Sequence, residues 1–218
     1  MPVVCVAHQH YGQRFGQPYQ NQIAPLMPGS ALSLIAGFYP AAQCRQIYQR
    51  LVTEQNWPDN HYLVAGRQFT LPRLQTWHAD PGIVYSYSNN LLETRPWSPL
   101  LTELRQQLED YLQAGFNAVL VNYYRDGDDY VGWHADDEPE LGPQPLIASL
   151  SFGASRQFAY RQKKSARHGS LLLSDGSLLV MQPEFQHHWL HSVPGSAEPV
   201  GGRINLTFRK VLPGPATG

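Results

Sequence analysis

Two histidine–aspartate pairs separated by a single residue stand out: His78-Ala79-Asp80 and His134-Ala135-Asp136. Nine His and nine Asp in 218 residues produce about 0.4 such pairs by chance, so at most one pair demands a function. The first runs straight into Pro81-Gly82, the mark of a turn, and no partner set follows it. The second follows an apolar strand pattern, Val119-Leu120-Val121-Asn122-Tyr123-Tyr124, and a tight acidic turn, Asp126-Gly127-Asp128-Asp129. Residues i and i+2 on extended backbone point to one side, so one imidazole and one carboxylate can address the same ion. A second histidine from a distant strand would complete a two-His, one-carboxylate set. Such a set leaves three coordination positions open and suits non-haem Fe(II) that must bind a cosubstrate and oxygen. The candidates are His187, His188 and His191. On a strand, His187 and His191 share a face and His188 points away. Spacing does not choose between His187 and His191, and His187 and His188 read best as exposed loop residues.

A second constellation lies in Arg203-Ile204-Asn205-Leu206-Thr207-Phe208-Arg209. Strand alternation puts Arg203, Asn205, Thr207 and Arg209 on one face and Ile204, Leu206 and Phe208 in a core. Two guanidiniums on one buried face are costly unless anions meet them. A dicarboxylate such as 2-oxoglutarate supplies two carboxylates, each fitted to a two-pronged bond from an arginine. The competing expectation is a solvent-exposed face pairing with the acids of residues 126–140.

The supporting elements follow from periodicity. Residues 40–56 place Cys44, Ile47, Tyr48, Leu51 and Val52 on one helical face, and residues 98–114 do the same with Leu100, Leu101, Leu104, Leu108, Tyr111 and Leu112. Ser98 and Pro99 fit the start of the second helix and Gly115 its stop. From Phe116 onward short strands are expected at 117–124, 146–152, 156–161, 171–173, 177–181, 187–191 and 204–211, with Asp175-Gly176 as a hairpin turn. Helices followed by many short strands predict an α+β fold, with helices packed on a β-sandwich or open barrel. The charged fraction is only 15%, the hydrophobic fraction 42% and the net charge −1, which excludes a disordered chain and a globally basic nucleic-acid binder. The balance is local instead: residues 150–218 hold eight Lys or Arg against three acids, while residues 126–140 hold seven acids and no base. The stretch Arg161-Gln162-Lys163-Lys164-Ser165-Ala166-Arg167-His168 suits phosphates, or is a solvated hairpin tip. Two cysteines, Cys5 and Cys44, lack metal or disulfide-framework spacing, so a reducing compartment is expected. No apolar run reaches 18 residues and no secretory signal is expected at the N-terminus.

Five blocks in fixed order carry a resemblance. Asn122-Tyr123-Tyr124-Arg125-Asp126-Gly127, His134-x-Asp136-Asp137-Glu138, Ile147-Ala148-Ser149-Leu150-Ser151-Phe152-Gly153, His191-Ser192-Val193-Pro194 and Arg203-x-Asn205-Leu206-Thr207-Phe208-Arg209 resemble the AlkB family of Fe(II)/2-oxoglutarate-dependent nucleic-acid dealkylases, most closely its duplex-DNA repair branch. The likeness covers roughly residues 60–212. It implies a double-stranded β-helix (jelly-roll) core, with His134, Asp136 and His191 as iron ligands. It implies that Asn122, Tyr124, Arg203, Asn205, Thr207 and Arg209 hold 2-oxoglutarate, Arg209 at the far carboxylate. Asp137 matches the residue that hydrogen-bonds the exocyclic amino group of the damaged base. Pro72-Arg73-x-Gln75 and Tyr85-Ser86-Tyr87-Ser88 match the nucleotide-recognition lid, in which Arg73, Tyr85, Tyr87 and Ser88 would contact substrate and Tyr87 would stack on the base opposite His134. The implied activity is oxidative demethylation of 1-methyladenine or 3-methylcytosine in DNA with Fe(II), 2-oxoglutarate and O2, releasing formaldehyde, succinate and CO2.

One block departs from the pattern. Where the duplex-repair branch carries a bulky wedge, this chain reads Val64-Ala65-Gly66, and an alanine cannot fill the gap left by an extruded base. Weak duplex activity is therefore expected, with either Phe69 or Arg67 substituting for the wedge or a preference for single strands as the open alternatives. The expected organisation is a flexible tail over 1–30, one dioxygenase domain over 31–212 with a lid near 60–95, and a short tail over 213–218. The expected state is a monomer, cytoplasmic or, in a eukaryote, nuclear. The same chemistry on RNA or another substrate, and a metal-free jelly-roll binding module, are the rival readings.

Overall fold

The computed structural model describes residues 31–58, 61–64, 67–83, 86–87, 90–91 and 93–212. In chain order these form β1 (Leu32–Ile35), α1 (Ala41–Glu54), β2 (His61–Val64), β3 (Arg67–Thr70), β4 (Leu74–Ala79), β5 (Ser86–Tyr87), β6 (Asn90–Leu91), β7 (Thr94–Arg95) and α2 (Pro99–Leu112). Then follow β8 (Ala118–Tyr124), β9 (Val131–His134), β10 (Ile147–Gly153), β11 (Arg156–Gln162), β12 (His168–Leu173), β13 (Ser177–Met181), a single turn α3 (Phe185–His188), β14 (Trp189–Val193) and β15 (Arg203–Arg209).

Two sheets dominate. The larger runs β1-β13-β10-β15-β8-β4-β7 and the smaller β12-β11-β14-β9. From β8 to β15 the strands alternate between them, except that β11 and β12 form a hairpin within the smaller sheet, as in a double-stranded β-helix. The α+β jelly-roll expectation is met.

The larger sheet is buried on both faces, with opposite chemistry. Its outer face carries Val119, Val121, Ala148, Leu150, Phe152, Ile204, Leu206 and Phe208, packed against Leu51 of α1 and Leu100, Leu101, Leu104 and Leu108 of α2. Its inner face carries Asn122, Ser149, Ser151, Arg203, Asn205, Thr207 and Arg209, all at most 6% exposed. The competing expectation of a solvent-exposed face for the two arginines is not met: the face is buried. The helices behave as their periodicity predicts. Ser98 caps α2 by accepting from the Leu101 amide at 3.2 Å, and Pro99 takes the first turn. The helix stops earlier than Gly115, at Gln113, whose φ is +53° and whose side-chain amide donates to the Asp110 carbonyl at 2.7 Å. That bond satisfies a terminal carbonyl otherwise left without a partner.

Two further expectations fail for reasons of topology. Asp175-Gly176 joins β12 to β13, which lie in different sheets, so the turn is a crossover and not a hairpin. Gly176 has φ +70°, and a Cβ there would lie 2.5 Å from both the Tyr39 carbonyl and Cys44 Sγ. Residues 187–188 belong to α3, so His187 and His191 share no strand face, and His187 and His188 are exposed, as expected. Cys44 is buried and free. No helix among the described residues is long and apolar enough to cross a membrane.

Candidate active site

His134 ends β9 and His191 sits in the middle of β14. The two residues are direct partners in the ladder between those strands. Their rings lie 4.1 Å apart, centroid to centroid. Asp136, two residues beyond His134 and 1% exposed, turns inward. His134 Nε2 and His191 Nε2 each lie 4.0 Å from an Asp136 oxygen. All three ligand atoms fall within 4.8 Å of one another. Bonds of about 2.1 Å put two ligands of one ion at most about 4.2 Å apart, so a small side-chain rotation gathers this set around one metal. The Nδ1 of His134 lies 2.8 Å from the Gly132 carbonyl. A proton on Nδ1 is thereby held by the backbone, which leaves Nε2 as the nitrogen turned toward Asp136.

The electrostatics favour a cation here. Burial pushes the Asp136 carboxyl up, but the charge of Arg209 and its hydrogen bond prevail and hold it down at about 2. Burial lowers His191 to about 3 and also lowers His134, so both imidazoles are neutral donors at neutral pH. The other pair, His78 and Asp80, forms no such set. His78 is 5% exposed and bonded to the Pro96 carbonyl and to Gln55, while Asp80 pairs with Arg105 at 2.7 Å.

The two arginines divide the cavity between the sheets. Arg209 Nη2, expected at the far carboxylate of the cosubstrate, donates to Asp136 Oδ1 at 2.8 Å. Its partner is the metal-side carboxylate, brought to it across 73 residues of sequence. Arg203, six residues earlier on the same face, occupies the opposite end. It is 1% exposed, donates to Ser151 Oγ at 2.9 Å and lies 5.1 Å from the Tyr124 ring centre. Its Nε and Nη1 have no hydrogen-bond partner among the described residues. Burial lowers its guanidinium to about 10, with Arg156 adding and Tyr124 opposing, so it keeps its charge at neutral pH. A buried cation with two unused donors calls for an anion. Between the arginines, Asn205 donates to Ser149 Oγ at 2.7 Å and accepts from Thr207 at 2.9 Å. Asn122 accepts from Arg73 Nε at 2.9 Å. Arg73, expected among the lid residues, is 4% exposed and lines the cavity.

Asp137 is exposed beside the cavity and pairs with Lys163 at 2.9 Å. Tyr85, Ser88 and Ala65 lie outside the described residues, and of Tyr87 only the backbone, in β5, is described. Sequence reasoning missed Gln186. This side chain is 1% exposed and its Oε1 accepts from the Asp136 amide at 2.9 Å. No periodicity or motif marks it, because its partner is 50 residues away.

A jelly roll whose polar interior joins a two-His, one-carboxylate cluster to a buried, anion-seeking arginine defines a non-haem metal oxygenase site. The 2OG-Fe(II) oxygenase superfamily model matches residues 31–209, and the chain belongs to that superfamily, whose members use Fe(II), 2-oxoglutarate and O2. Among its relatives, the mouse DNA oxidative demethylase ALKBH2 is 42% identical over 158 residues, covering 69% of this chain and 66% of the relative. The rat alpha-ketoglutarate-dependent dioxygenase alkB homolog 3 is 36% identical over 196 residues, covering 85% of this chain and 66% of the relative. These bear out the AlkB resemblance, and the chain spans just under two thirds of the length of either. The structure of OsALKBH1 shares the fold with a TM-score of 0.61 at 17% identity, covering 83% of this chain and 96% of that one. The residues present fit the family's metal and cosubstrate: three ligand atoms converge, and Arg203 offers unused donors at the right end of the cavity.

Proposed function

We propose that this chain is an Fe(II)/2-oxoglutarate-dependent dioxygenase that removes N-methyl groups from 1-methyladenine and 3-methylcytosine in DNA. The observation that carries the reading is the buried convergence of His134, Asp136 and His191 beside two arginines on one polar sheet face. The curated relatives named above, DNA oxidative demethylase ALKBH2 among them, supply the substrate class. When bound, iron and 2-oxoglutarate supply O2-driven oxidation of an N-methyl carbon coupled to decarboxylation to succinate and CO2, and the oxidised methyl leaves as formaldehyde.

The chain's own residues bind and orient. His134, Asp136 and His191 hold the metal, and Arg209 fixes the Asp136 carboxylate that completes the set. Arg203, with Tyr124 stacked against it, grips the far carboxylate of the cosubstrate, while Asn122, Asn205 and Thr207 line the space between. Asp137 accepts from the exocyclic amino group of an extruded base and attracts a methylated base that carries positive charge. Tyr87 stacks on that base, with Tyr85 and Ser88 along the same lid. Arg73 acts from the wall, where its bond to Asn122 shapes the cosubstrate pocket. The substrate is single- or double-stranded DNA, acted on by one dioxygenase domain spanning 31–212.

Incubation with Fe(II), 2-oxoglutarate and DNA or RNA oligomers carrying 1-methyladenine tests this by mass spectrometry. Loss of one methyl mass from DNA, with stoichiometric succinate, is expected. Ala at His134, Asp136 or His191 should abolish both products. Succinate release that never removes a methyl group would overturn the nucleobase assignment.

A further inference from the structure

Asp136 and Asp137 are adjacent acids, and each has its own cation. Arg209 meets Asp136 inside the barrel, and Lys163, from the tip that follows β11, meets Asp137 outside it. Lys163 is held at several points. Its ammonium donates to Asp137 Oδ2 at 2.9 Å and to the Gln186 carbonyl at 2.8 Å, and its backbone amide donates to the His188 carbonyl at 2.8 Å. Gln186 in turn receives the Asp136 amide, which closes a ring from hairpin tip to metal loop. The Lys163 side chain is 26% exposed, that of Asp137 57%. A tethered ammonium loses less entropy on pairing than a free surface lysine, so this pair is occupied more fully than most exposed ones.

We propose that Lys163 is a specificity-determining residue that offsets the charge of Asp137 and so moderates its preference for cationic bases. The inference rests on the reading of Asp137 as the carboxylate that meets the damaged base. Methylation at N1 of adenine or N3 of cytosine yields a cationic base. Methylation at N3 of thymine or N1 of guanine yields a neutral one. A lone carboxylate beside the metal-site residue Asp136 discriminates between these classes by Coulomb attraction. An ammonium 2.9 Å from one of its oxygens cancels much of that field and leaves the other oxygen able to accept from an amino group. The paired site therefore tolerates neutral lesions that an unpaired carboxylate would disfavour.

The test loads wild type, K163M and K163R with Mn(II) and 2-oxoglutarate and titrates each with single-stranded oligonucleotides. These differ only in one base: 3-methylcytosine, 3-methylthymine or unmethylated cytosine. Fluorescence anisotropy gives Kd. The ratio favouring the cationic lesion should rise about two- to fivefold in K163M, the size of one partly exposed charge contact. K163R should keep the wild-type ratio, and K163M should change nothing in a D137N background. K163Q carries the same expectation should methionine disturb the hairpin. An unchanged or lowered ratio in the neutral variants, or an effect that survives D137N, overturns the role of Lys163. Wild type that binds methylated and unmethylated strands alike overturns the base-recognition reading itself, and the role of Lys163 falls with it.

Discussion

The sharpest division of labour in this molecule separates two arginines on one strand face. Both are almost fully buried, yet Arg209 is committed to Asp136 while Arg203 keeps two donors without partners among the described residues. Arg203, which holds no carboxylate of the His-Asp-His cluster, is the arginine expected to grip the far carboxylate of a dicarboxylate. Arg203→Met should therefore raise the 2-oxoglutarate concentration for half-maximal succinate release about ten- to a hundredfold, the worth of one or two charged hydrogen bonds. The variant should also lose the preference for 2-oxoglutarate over a keto acid lacking the second carboxylate. Succinate-release kinetics with both cosubstrates check this, and wild-type values would dismiss the assignment. The alternation that put both arginines on one face is plain in the sequence. Which one serves the metal loop is not, because that contact joins residues 73 apart.

At the scale of elements, the turn between β8 and β9 sets where His134 and Asp136 emerge. Asp129, 3% exposed, accepts from the Arg125 amide, Nε and Nη2, each at 2.8 Å. Arg156 donates from Nη1 to the Asp126 carbonyl and from Nη2 to the carbonyls of Asp129 and Pro194, stitching this turn to the loop after β14. Burial alone would raise the Asp129 carboxyl, but the bonds and charge of Arg125, with Arg156 behind, hold it below its ordinary 3.8. The folded chain thus binds fewer protons here than the unfolded chain. This contribution is complete above the ordinary carboxylate range and fades as pH falls through the depressed value. Thermal melts from pH 7 to 3 should show a falling Tm below about pH 4. In Asp129→Asn, the neutral-pH Tm should be lower and the acid fall shallower; parallel curves would count against it. The acids of this turn were visible as a charge run. That Asp129 is buried and clamped by Arg125 while Asp126 and Asp128 stay exposed was not visible, and the stitching of the turn's carbonyls by Arg156 follows only from the approach of β11.

Across the whole molecule, one buried sheet separates an apolar layer under the helices from a polar layer under the smaller sheet. That arrangement presents the candidate metal ligands His134 and His191, of β9 and β14, to the arginines of β15. Strand state is expected to turn instead on Ala65, which stands in sequence where a bulky wedge was expected and lies outside the described residues. Ala65→Phe should raise the rate on duplex relative to single-stranded 1-methyladenine substrate about tenfold, because stacking in the vacated gap offsets part of the few kcal/mol needed to extrude a base. Paired single-turnover assays measure the ratio, and no change would remove the wedge argument. Local sequence settled the amphipathic helices, the strand alternation and the His134-x-Asp136 pair, since each depends on neighbours within a few residues. It could not choose the third histidine by spacing, reveal that the arginine face is enclosed, or show that Asp175-Gly176 crosses between sheets. Those outcomes depend on strands far apart in the chain being folded together, where burial and charge take their final values.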